Sequence, residues 1–463
     1  MSSIQSTAAW KQLNGTLHSA VDRDLEIELL PVLRSIWPGL CRPRGLKHYD
    51  NAGCDLIEQE KDDRLKAVIQ CKGFFASEGL GTSQVKAILK SIDTFARSPL
   101  SCDDYVLIHN RDGRNRDARK TIDIALSALK ASGKAKRVRQ WDRMQCLKAI
   151  ETRLRELLSE RLSEQAAGFL AELDALFEIG GAYVSRLPVR SGRLLLKRGE
   201  APSIVHQDPE GGKEVDLVAR LGNAQPHQWS LLTGLFGSGK TSCALHAAKE
   251  RPREIVYVAA ANLEPRRGEQ GTNVLMSRIA EALHVFDDYS EDERVLFQRL
   301  SGPVLRGMLS ADETNTTLII DALDENRTLH APAEITRFAS VLAELRCRVV
   351  LTTREEHFRA TFGNYEHLFE ELSSKGGGLR DIALHELRPW TTKQTAELVT
   401  NALRVKPDNK PLQQLSEALK EGQSAGWPKD LLAHPFFLQM IIELVADGTD
   451  PLANRAQLLD RWS

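Results

Sequence analysis

The sequence lacks long apolar runs and paired cysteines. None of its 463 residues lies in an apolar stretch long enough to span a membrane, and the polar start MSSIQSTAAWKQ lacks the apolar core of a signal peptide. The seven cysteines are scattered, without CxxC spacing. That usage favours reduced thiols and argues against a disulfide framework or a zinc site. We therefore expect a soluble cytoplasmic protein with no membrane contact.

An excess of charge of one sign is also missing. The chain has 62 Lys and Arg against 63 Asp and Glu, for a net charge of −1. This balance excludes a globally basic protein that coats nucleic acid, while local basic patches remain compatible with it. Hydrophobic residues (42%) and charged residues (27%) occur in globular proportions. At this length two or three domains are expected.

The pattern of apolar residues predicts four regions. Residues 1–150 alternate helical and strand-like segments, and 151–200 hold a long helix followed by a linker. Residues 201–390 contain four short apolar strands, WSLLTG, EIVYVAA, TTLIID and RVVLTTR, with helical segments between them. That alternation predicts a parallel α/β sheet. The polar stretch APSIVHQDPEGGKE reads as a loop, and residues 391–463 are helical in pattern.

The strongest motif is GLFGSGKT at 234–241, which fits GxxxxGK[ST] and directly follows an apolar strand. Its glycines let backbone N–H groups turn toward a phosphate, and the helix that follows adds free N–H groups. Lys240 would reach the β- and γ-phosphates of ATP, and the Thr241 hydroxyl would bind Mg²⁺. The residues predicted to hold the nucleotide here are Gly234, Gly237, Ser238, Gly239, Lys240, Thr241 and Ser242.

Two further strands end in polar residues. LIID is followed by ALDE, and Asp321 at the end of that strand is predicted to bind the magnesium ion. Either Asp324 or Glu325 would orient the attacking water, and Glu325 is the preferred candidate. Arg354 ends the strand RVVLTTR, where it could sense the γ-phosphate or form a surface ion pair.

Together these motifs resemble those of the STAND NTPases, and within them the NACHT type. The resemblance covers roughly residues 200–460 and rests on GLFGSGKT, LIIDALDE and VVLTTR, with looser matches at ELRPW (386–390) and AHPFFL (433–438). It implies a nucleotide bound between a P-loop domain and a helical lid, with assembly controlled by the bound nucleotide. It also implies that Pro435 contacts the adenine. The alternative is that Pro435 only begins a helix.

A second set of polar residues lies near the N-terminus. Alternation predicts a strand over 65–72, in which Gln70 and Lys72 point to the same face. A neighbouring strand at 55–57 would bring Asp55 beside them. Either this is a polar sheet surface, or the three side chains converge on a metal ion and a water. A glutamine carbonyl oxygen can bind a hard cation, so the pattern is compatible with Mg²⁺.

This region resembles the PD-(D/E)xK nuclease fold, and in particular the Mrr-like restriction endonucleases. The match rests on Gly53-x-Asp55, on IQCKG at 69–73, on the helix SQVKAILKSIDTF and on the strand DYVLIHN. It implies that Asp55 and Gln70 bind Mg²⁺ and that Lys72 positions or activates the nucleophile. It also implies an acid from the first helix, with Glu26 the closest match and Glu28 the alternative. A glutamine stands where most members carry an acid.

Two basic runs follow, HNRDGRNRDARK and SGKAKRVRQWDR. Lys and Arg side chains on one face can anchor a DNA duplex by its phosphates without reading sequence. A solvated charged face is the other interpretation. Trp141, at the end of the second run, could stack on a base or pack in the core.

The predicted fold is therefore α/β, with three parts: an N-terminal restriction-endonuclease-like α/β/α domain, a central P-loop NTPase domain of NACHT/STAND type and a C-terminal helical domain. The resemblance to antiviral STAND (Avs-like) proteins implies a nucleotide-gated, Mg²⁺-dependent DNA endonuclease with ATPase activity that acts in prokaryotic antiphage defence. Its partners would be double-stranded DNA, ATP, further copies of itself (a tetramer is one option) and an unidentified trigger such as a phage protein. The alternatives are an ATP-dependent restriction-type nuclease and a DNA-binding signalling scaffold with an inactive nuclease fold.

Overall fold

The computed structural model of the chain divides into two compact units. Unit 1 comprises Met1–Leu157 with Phe286–Val304, and unit 2 comprises Leu158–Val285 with Leu305–Ser463. The structure describes residues 22–462, together with four isolated positions before them. Its gaps are 44–48, 50, 61–63, 75–78, 112–114, 176–182, 196–202, 209, 223–228, 252–253, most of 264–315, most of 331–346, and 359–380.

Unit 1 is built on a four-stranded mixed sheet in the order β1-β2-β3-β4. β1 is antiparallel to β2, while β2, β3 and β4 run parallel to one another. Helices precede the sheet and connect its parallel strands. Its elements are α1 (Asp22–Ile36), β1 (Leu56–Gln59), β2 (Leu65–Lys72), α2 (Thr82–Arg97), β3 (Cys102–His109), α3 (Arg116–Ala131) and β4 (Ala135–Trp141).

The core of unit 1 lies between this sheet and helices α2 and α3. Val68 and Tyr105 from the sheet pack with Ile88, Phe95 and Ile122 from the helices, and all five are buried. Most of β2 is buried, whichever face its side chains take. Parallel strands covered on both faces read as nearly continuous apolar runs. The strand predicted over 65–72 is confirmed with the same bounds.

A long helix, α4, runs from Arg143 to Ala175, and the division between the two units falls within it. The sequence predicts this helix from residue 151, so the structure begins it earlier. Glu151 and Arg155, one turn apart, form an ion pair at 2.8 Å on its surface. Within the described residues, no helix is both long and apolar enough to cross a lipid bilayer.

Unit 2 contains an eight-stranded sheet in the order β6-β5-β12-β8-β11-β10-β9, with β7 also paired to β5. β12, β8, β11, β10 and β9 are parallel, and β5 is antiparallel to its three partners. The strands are β5 (Arg186–Leu195), β6 (Ser203–His206), β7 (Lys213–Asp216), β8 (Trp229–Gly234), β9 (Ile255–Ala259), β10 (Thr317–Asp321), β11 (Arg348–Arg354) and β12 (Asp381–Leu387).

The parallel part of this sheet confirms the sequence prediction, and its antiparallel part does not follow from it. The polar stretch 201–214, predicted as a loop, contains β6 and the beginning of β7. Their side chains are exposed or half-buried, so the sequence carries no apolar signal there. Both strands form because β5 offers them backbone hydrogen-bonding partners.

Helices flank the sheet and complete unit 2. A capping box formed by Thr391 and Gln394 begins α7, and Pro435 stands at the start of α10 with His434 as the N-cap residue. The helices are α5 (Leu217–Gly222), α6 (Lys240–Glu250), α7 (Thr392–Val405), α8 (Lys410–Lys420), α9 (Lys429–Leu432), α10 (Pro435–Ala446) and α11 (Arg455–Trp462). The interior of α10 is apolar on most sides, and it lies in the main core.

Candidate functional sites

The P-loop joins strand β8 to helix α6. Gly237 and Gly239 have φ angles of 68° and 93°, a left-handed region that glycine enters without steric cost. A Cβ atom on Gly237 would lie 2.7 Å from Cβ of Phe436, at the start of α10. The Phe436 N–H also donates to the Gly237 carbonyl at 3.3 Å. The loop and the first turn of α10 are therefore in direct contact.

Lys240 lies across this loop. Its side chain is 9% exposed, and Nζ donates to the carbonyls of Gly234 and Leu235, each at 3.0 Å. Burial lowers the pKa of this ammonium, while the nearby carboxylates of Asp324 and Asp321 act in the opposite direction. The charge is thus held at the loop where phosphate oxygens would approach its N–H groups.

Asp321, at the end of β10, is 2% exposed and has hydroxyl donors on both of its oxygens. The Tyr257 hydroxyl donates to Oδ2 at 3.0 Å, and the Thr352 hydroxyl donates to Oδ1. Thr352 Oγ1 in turn accepts from the backbone N–H of Ala322 at 2.8 Å. Burial and the Asp321 carboxylate raise the pKa of Tyr257, so its phenol stays protonated and acts as a donor. The carboxylate is fixed at the carboxyl end of the parallel sheet.

The two acids that follow have different environments. The Asp324 side chain is 6% exposed and pairs with Arg354: its Oδ2 lies 2.9 Å from Nε, and its Oδ1 accepts from the Arg354 backbone N–H at 3.0 Å. The Glu325 side chain is 54% exposed, and its Oε1 lies 3.7 Å from Nη2 of Arg354. Glu325 is therefore the acid open to a water molecule. Arg354 thus forms an ion pair, which is one of the two roles that the sequence leaves open for it.

A cavity of about 290 Å³ lies beside these residues. The P-loop, Asp324, Glu325 and Arg354 belong to its lining, together with apolar side chains such as Leu187, Trp390 and Pro435. Pro435 both begins α10 and lines the cavity, so its two interpretations are compatible. The predicted nucleotide residues in the lining are Gly237, Ser238, Gly239, Lys240, Thr241, Ser242, Asp324, Glu325, Arg354 and Pro435.

Some polar atoms near the cavity are buried with no hydrogen-bond partner among the described residues. They are Ser238 Oγ, Trp390 Nε1 and His434 Nδ1. Buried polar groups ordinarily find partners, so these atoms fit a site that receives a polar ligand. The oxygen ligands that Mg²⁺ prefers are also at hand in Thr241 and Asp321. The residues present therefore fit a nucleotide with its magnesium ion.

Sequence reasoning missed several residues of this site. Tyr257 lies in the segment EIVYVAA, which the sequence identifies only as an apolar strand, and Trp390 is part of the loosely matched motif ELRPW. Tyr183, also in the cavity lining, stacks on His246 with ring centroids 3.8 Å apart. A polar aromatic inside the apolar run EIVYVAA is the one signal that pointed to Tyr257, since a buried phenol usually has a partner.

Unit 2 thus has the architecture of the P-loop NTPases, a strand, a glycine-rich loop and a helix at the carboxyl end of a parallel sheet. No family model matches the sequence, and no curated protein matches it significantly.

Solved structures of ATPases show limited similarity. A Walker-type ATPase of Pyrococcus abyssi is 15% identical over 50% of this chain and 66% of its own, just under two thirds, with a TM-score of 0.33. Cdc6p from Pyrobaculum aerophilum is 13% identical over 53% and 81%, with a TM-score of 0.26. The RuvB Holliday junction branch migration motor of Thermotoga maritima is 17% identical over 51% and 60%, with a TM-score of 0.24. Similarity at this level assigns no function.

The candidate metal site of unit 1 lies at the start of β1 and the end of β2. Asp55 Oδ2 accepts from the Cys71 backbone N–H at 2.7 Å. Gln70 is 1% exposed, its Nε2 donates to the Gly53 carbonyl at 2.8 Å, and its Oε1 accepts from the Tyr105 hydroxyl. Asp55 does lie beside β2, as the spacing predicts. Both polar atoms of Gln70 are bonded within the protein, which the sequence does not predict.

The remaining predicted residues surround the same strand. Burial raises the pKa of the Cys71 thiol, and the neighbouring carboxylates of Asp55 and Glu26 raise it further, while Lys72 lowers it. Asp55, Glu26 and Lys72 are therefore each within electrostatic reach of Cys71. Glu26 also pairs with Arg42 at 3.3 Å. Among the described residues, no three His, Cys, Asp or Glu side chains form a metal-binding group, so the candidate site depends on its amide as well as its acids.

Trp141, predicted either to stack on a base or to pack, lies beside Trp37 with ring centroids 6.2 Å apart. Trp37 is 3% exposed, which makes this contact part of the unit 1 interior. Packing is the interpretation that the contact supports.

Proposed function

We propose that this protein is a nucleotide-gated DNA endonuclease, in which ATP binding and hydrolysis by unit 2 control Mg²⁺-dependent cleavage of duplex DNA by unit 1. The observation that carries the proposal is the cavity of unit 2, of about 290 Å³, whose lining combines the P-loop, Lys240, Glu325 and Arg354 with apolar side chains. A homo-oligomer, with a tetramer as one option, would be its active form. Its biological role would be prokaryotic antiphage defence, in response to a trigger such as a phage protein.

Each polar residue of the cavity has a distinct task in this proposal. Lys240 would exchange its two carbonyl partners for phosphate oxygens. Thr241 and Asp321 would hold the Mg²⁺ ion, which neutralises the phosphate charge. Glu325, with its exposed carboxylate, would orient the attacking water. Arg354 would exchange its ion pair with Asp324 for a contact with the γ-phosphate, and would thereby respond to ATP.

For unit 1, support comes from the order of elements and from Lys72. A helix, an antiparallel bridge between Cys41 and Ile57, strands β1 and β2, helix α2 and parallel strand β3 follow one another as expected of the nuclease fold. Lys72 ends β2, and its ammonium has no hydrogen-bond or ion-pair partner among the described residues. It is therefore available to position a nucleophile near Asp55.

A second candidate function is a DNA-binding signalling scaffold with an inactive nuclease fold. The bonding of Gln70 favours it, because an amide that already joins Gly53 to Tyr105 serves the fold without a metal. In the endonuclease, by contrast, Gln70 Oε1 would share its second lone pair with Mg²⁺.

The test follows plasmid integrity with Mg²⁺ and ATP for the wild type, Lys72→Ala and Lys240→Ala. Matched controls are Lys66→Ala, on the same strand as Lys72 but 44% exposed, and Lys249→Ala, exposed on the same helix as Lys240. The endonuclease predicts that cleavage fails in Lys72→Ala while ATP hydrolysis continues, and that both fail in Lys240→Ala. Intact duplex binding without cleavage by any protein, including residues 1–165 alone, would favour the scaffold.

The defence role has its own test in cells. Phage plating on bacteria that express the wild type should fall relative to the empty vector, and both Lys72→Ala and Lys240→Ala should restore it. Protection that persists in Lys72→Ala would assign the defence to something other than DNA cleavage.

A further inference from the structure

The two basic runs of unit 1 have different environments. On β4, the basic side chains already have acidic partners on β3. Arg137 makes a bidentate pair with Asp104, at 2.8 and 2.6 Å, and Lys136 lies 2.9 Å from Asp103. Arg139 is 3.8 Å from Asp104. These three basic side chains share two carboxylates, and Arg64 also pairs with Asp103. A phosphate that approached β4 would therefore have to compete with these carboxylates.

The first run differs because its last five residues, 116–120, form the start of α3, while its Arg111 is buried. Arg116, Arg119 and Lys120 are all exposed, and none of them forms an ion pair or a side-chain hydrogen bond with a described residue. With Asp123, Ile124 and Ser127 they form one exposed face of α3. Their three positive charges are consequently available to a partner at no cost in broken ion pairs.

These residues also lie at the appropriate edge of the sheet. β2 and β3 are parallel, and their paired last residues are Lys72 and His109. The chain leaves β3 at His109 and enters α3 at Arg116, after the N-cap residue Asn115. The beginning of α3 is therefore at the carboxyl ends of the strands, the same edge as Lys72. In open α/β sheets this is the edge where ligands bind.

We infer that the first two turns of α3, through Arg116, Arg119 and Lys120, bind the phosphate backbone of duplex DNA, and that the basic run of β4 does not. The inference rests on the proposed function and adds the surface by which unit 1 would hold its substrate. Contacts to phosphates release condensed counterions and carry no sequence information. Asp123 limits the surface on the C-terminal side, since its carboxylate would repel a phosphate.

The test measures binding of a labelled duplex by the full-length chain, by fluorescence anisotropy without Mg²⁺, across a series of KCl concentrations. The slope of log K against log salt reports the number of phosphate contacts, at roughly 0.9 for each. The double variant Arg116→Gln and Arg119→Gln should reduce this slope by roughly 2. The control, Lys136→Gln and Arg139→Gln, removes the same charge from β4 and should leave the slope unchanged.

Each outcome of this experiment decides the inference. An equal fall in slope for both double variants would overturn it, because that result reflects net charge alone, and so would an unchanged slope for the α3 variant. If the wild type binds no duplex even at low salt, the DNA substrate of the proposed function fails together with the surface. Ile124, which is 62% exposed on the same face of α3, gives a further check. Ile124→Ser should alter neither the slope nor the molecular mass in solution, and a changed mass would assign this face to a protein contact instead.

Discussion

The nucleotide site of unit 2 and the metal site of unit 1 use their polar residues in opposite ways. In unit 2 most of the predicted nucleotide residues line one cavity, and Ser238, Trp390 and His434 have buried polar atoms in or near it with no hydrogen-bond partner among the described residues. In unit 1 both amide atoms of Gln70 form hydrogen bonds within the protein, and the Asp55 carboxylate accepts a hydrogen bond from the backbone of β2. The site of unit 2 therefore has polar atoms available to a ligand, whereas the polar atoms of the unit 1 site already have, in part, hydrogen-bond partners within the protein.

The difference follows from what each motif specifies. GLFGSGKT fixes a backbone shape, because Gly237 and Gly239 adopt positive φ angles and the loop then directs its N–H groups by itself. The pattern Asp55, Gln70, Lys72 specifies only side chains on adjacent strands. Whether such side chains bind a metal or stabilise the fold depends on the residues that contact them, and these come from distant parts of the sequence.

The largest effect is expected for Gln70→Glu, which tests the satisfied state of unit 1. A carboxylate cannot donate to the Gly53 carbonyl, and at 1% exposure it would carry a buried charge beside that oxygen. We expect the free energy of unfolding to fall by about 3–5 kcal/mol in the absence of metal. Thermal and denaturant unfolding would measure it, with Gln59→Glu, exposed on β1, as the control.

Magnesium sharpens the same experiment. If position 70 faces a metal site with Asp55, Mg²⁺ should raise the melting temperature of Gln70→Glu by more than that of the wild type, because the added carboxylate would bind the ion. Equal shifts would indicate that Gln70 belongs to the fold alone. Wild-type stability in Gln70→Glu without metal would contradict the buried bonding itself.

The next effect concerns Lys240. Replacing it by alanine should weaken ATP binding by about 1.5–3 kcal/mol, the range of a hydrogen bond to a charged group, which is roughly 10- to 150-fold in Kd. Titration calorimetry would measure the affinity. Lys249→Ala should bind as the wild type does, and comparable losses in both variants would mean that the helix, and not the lysine, was affected.

These predictions also show how far the sequence reaches. WSLLTG and RVVLTTR became β8 and β11 with the predicted bounds, because strands buried on both faces are continuous apolar runs. β6 and β7 have no such run, and they depend on pairing with β5. The same holds for the sites: the P-loop was readable because its residues are consecutive.

Side-chain contacts between neighbouring strands could not be predicted from the sequence. Tyr105 is 35 positions from Gln70, and Tyr257 is 64 positions from Asp321. Each pair is set by strand register, which a single sequence does not state. The sequence leaves Asp324 and Glu325 as alternatives for orienting the attacking water. Burial distinguishes them, because the Asp324 side chain is 6% exposed and that of Glu325 is 54% exposed.

Arg354 separates the two roles left open by the sequence. If it moves from Asp324 to the γ-phosphate, Arg354→Ala should slow hydrolysis by about 10- to 100-fold and leave ATP affinity within a few-fold, since the contact would strengthen in the transition state. Single-turnover hydrolysis and equilibrium binding measure the two quantities. A partly exposed ion pair alone is worth about 0–1 kcal/mol of stability and would leave the rate unchanged. Arg348→Ala, at the other end of β11, is the control.

Two glycines of the P-loop distinguish strain from contact. Gly237→Ala combines a φ of 68° with a clash against Phe436, whereas Gly239→Ala has a φ of 93° and open space around the new Cβ. Left-handed φ costs about 1–2 kcal/mol in each variant. We expect Gly237→Ala to lose stability further, by about 1 kcal/mol, because the contact with α10 must open. Equal melting temperatures would show that α10 does not rest on the loop.

The smallest effect is expected for Tyr257→Phe, which removes one of the two hydroxyl donors of Asp321 and keeps the ring in place. A single hydrogen bond of this kind is worth about 1 kcal/mol, so the carboxylate should be less well fixed and the Mg²⁺ concentration for half-maximal ATPase should rise about fivefold. A purely structural tyrosine would lower the melting temperature and leave the magnesium dependence unchanged. Thr352→Val removes the other donor and should shift the magnesium dependence in the same direction. A lower magnesium requirement in both variants would mean that the two hydroxyls hold Asp321 away from the ion. Polar residues of unit 2 would then stabilise the fold in place of binding the metal, as Gln70 does in unit 1.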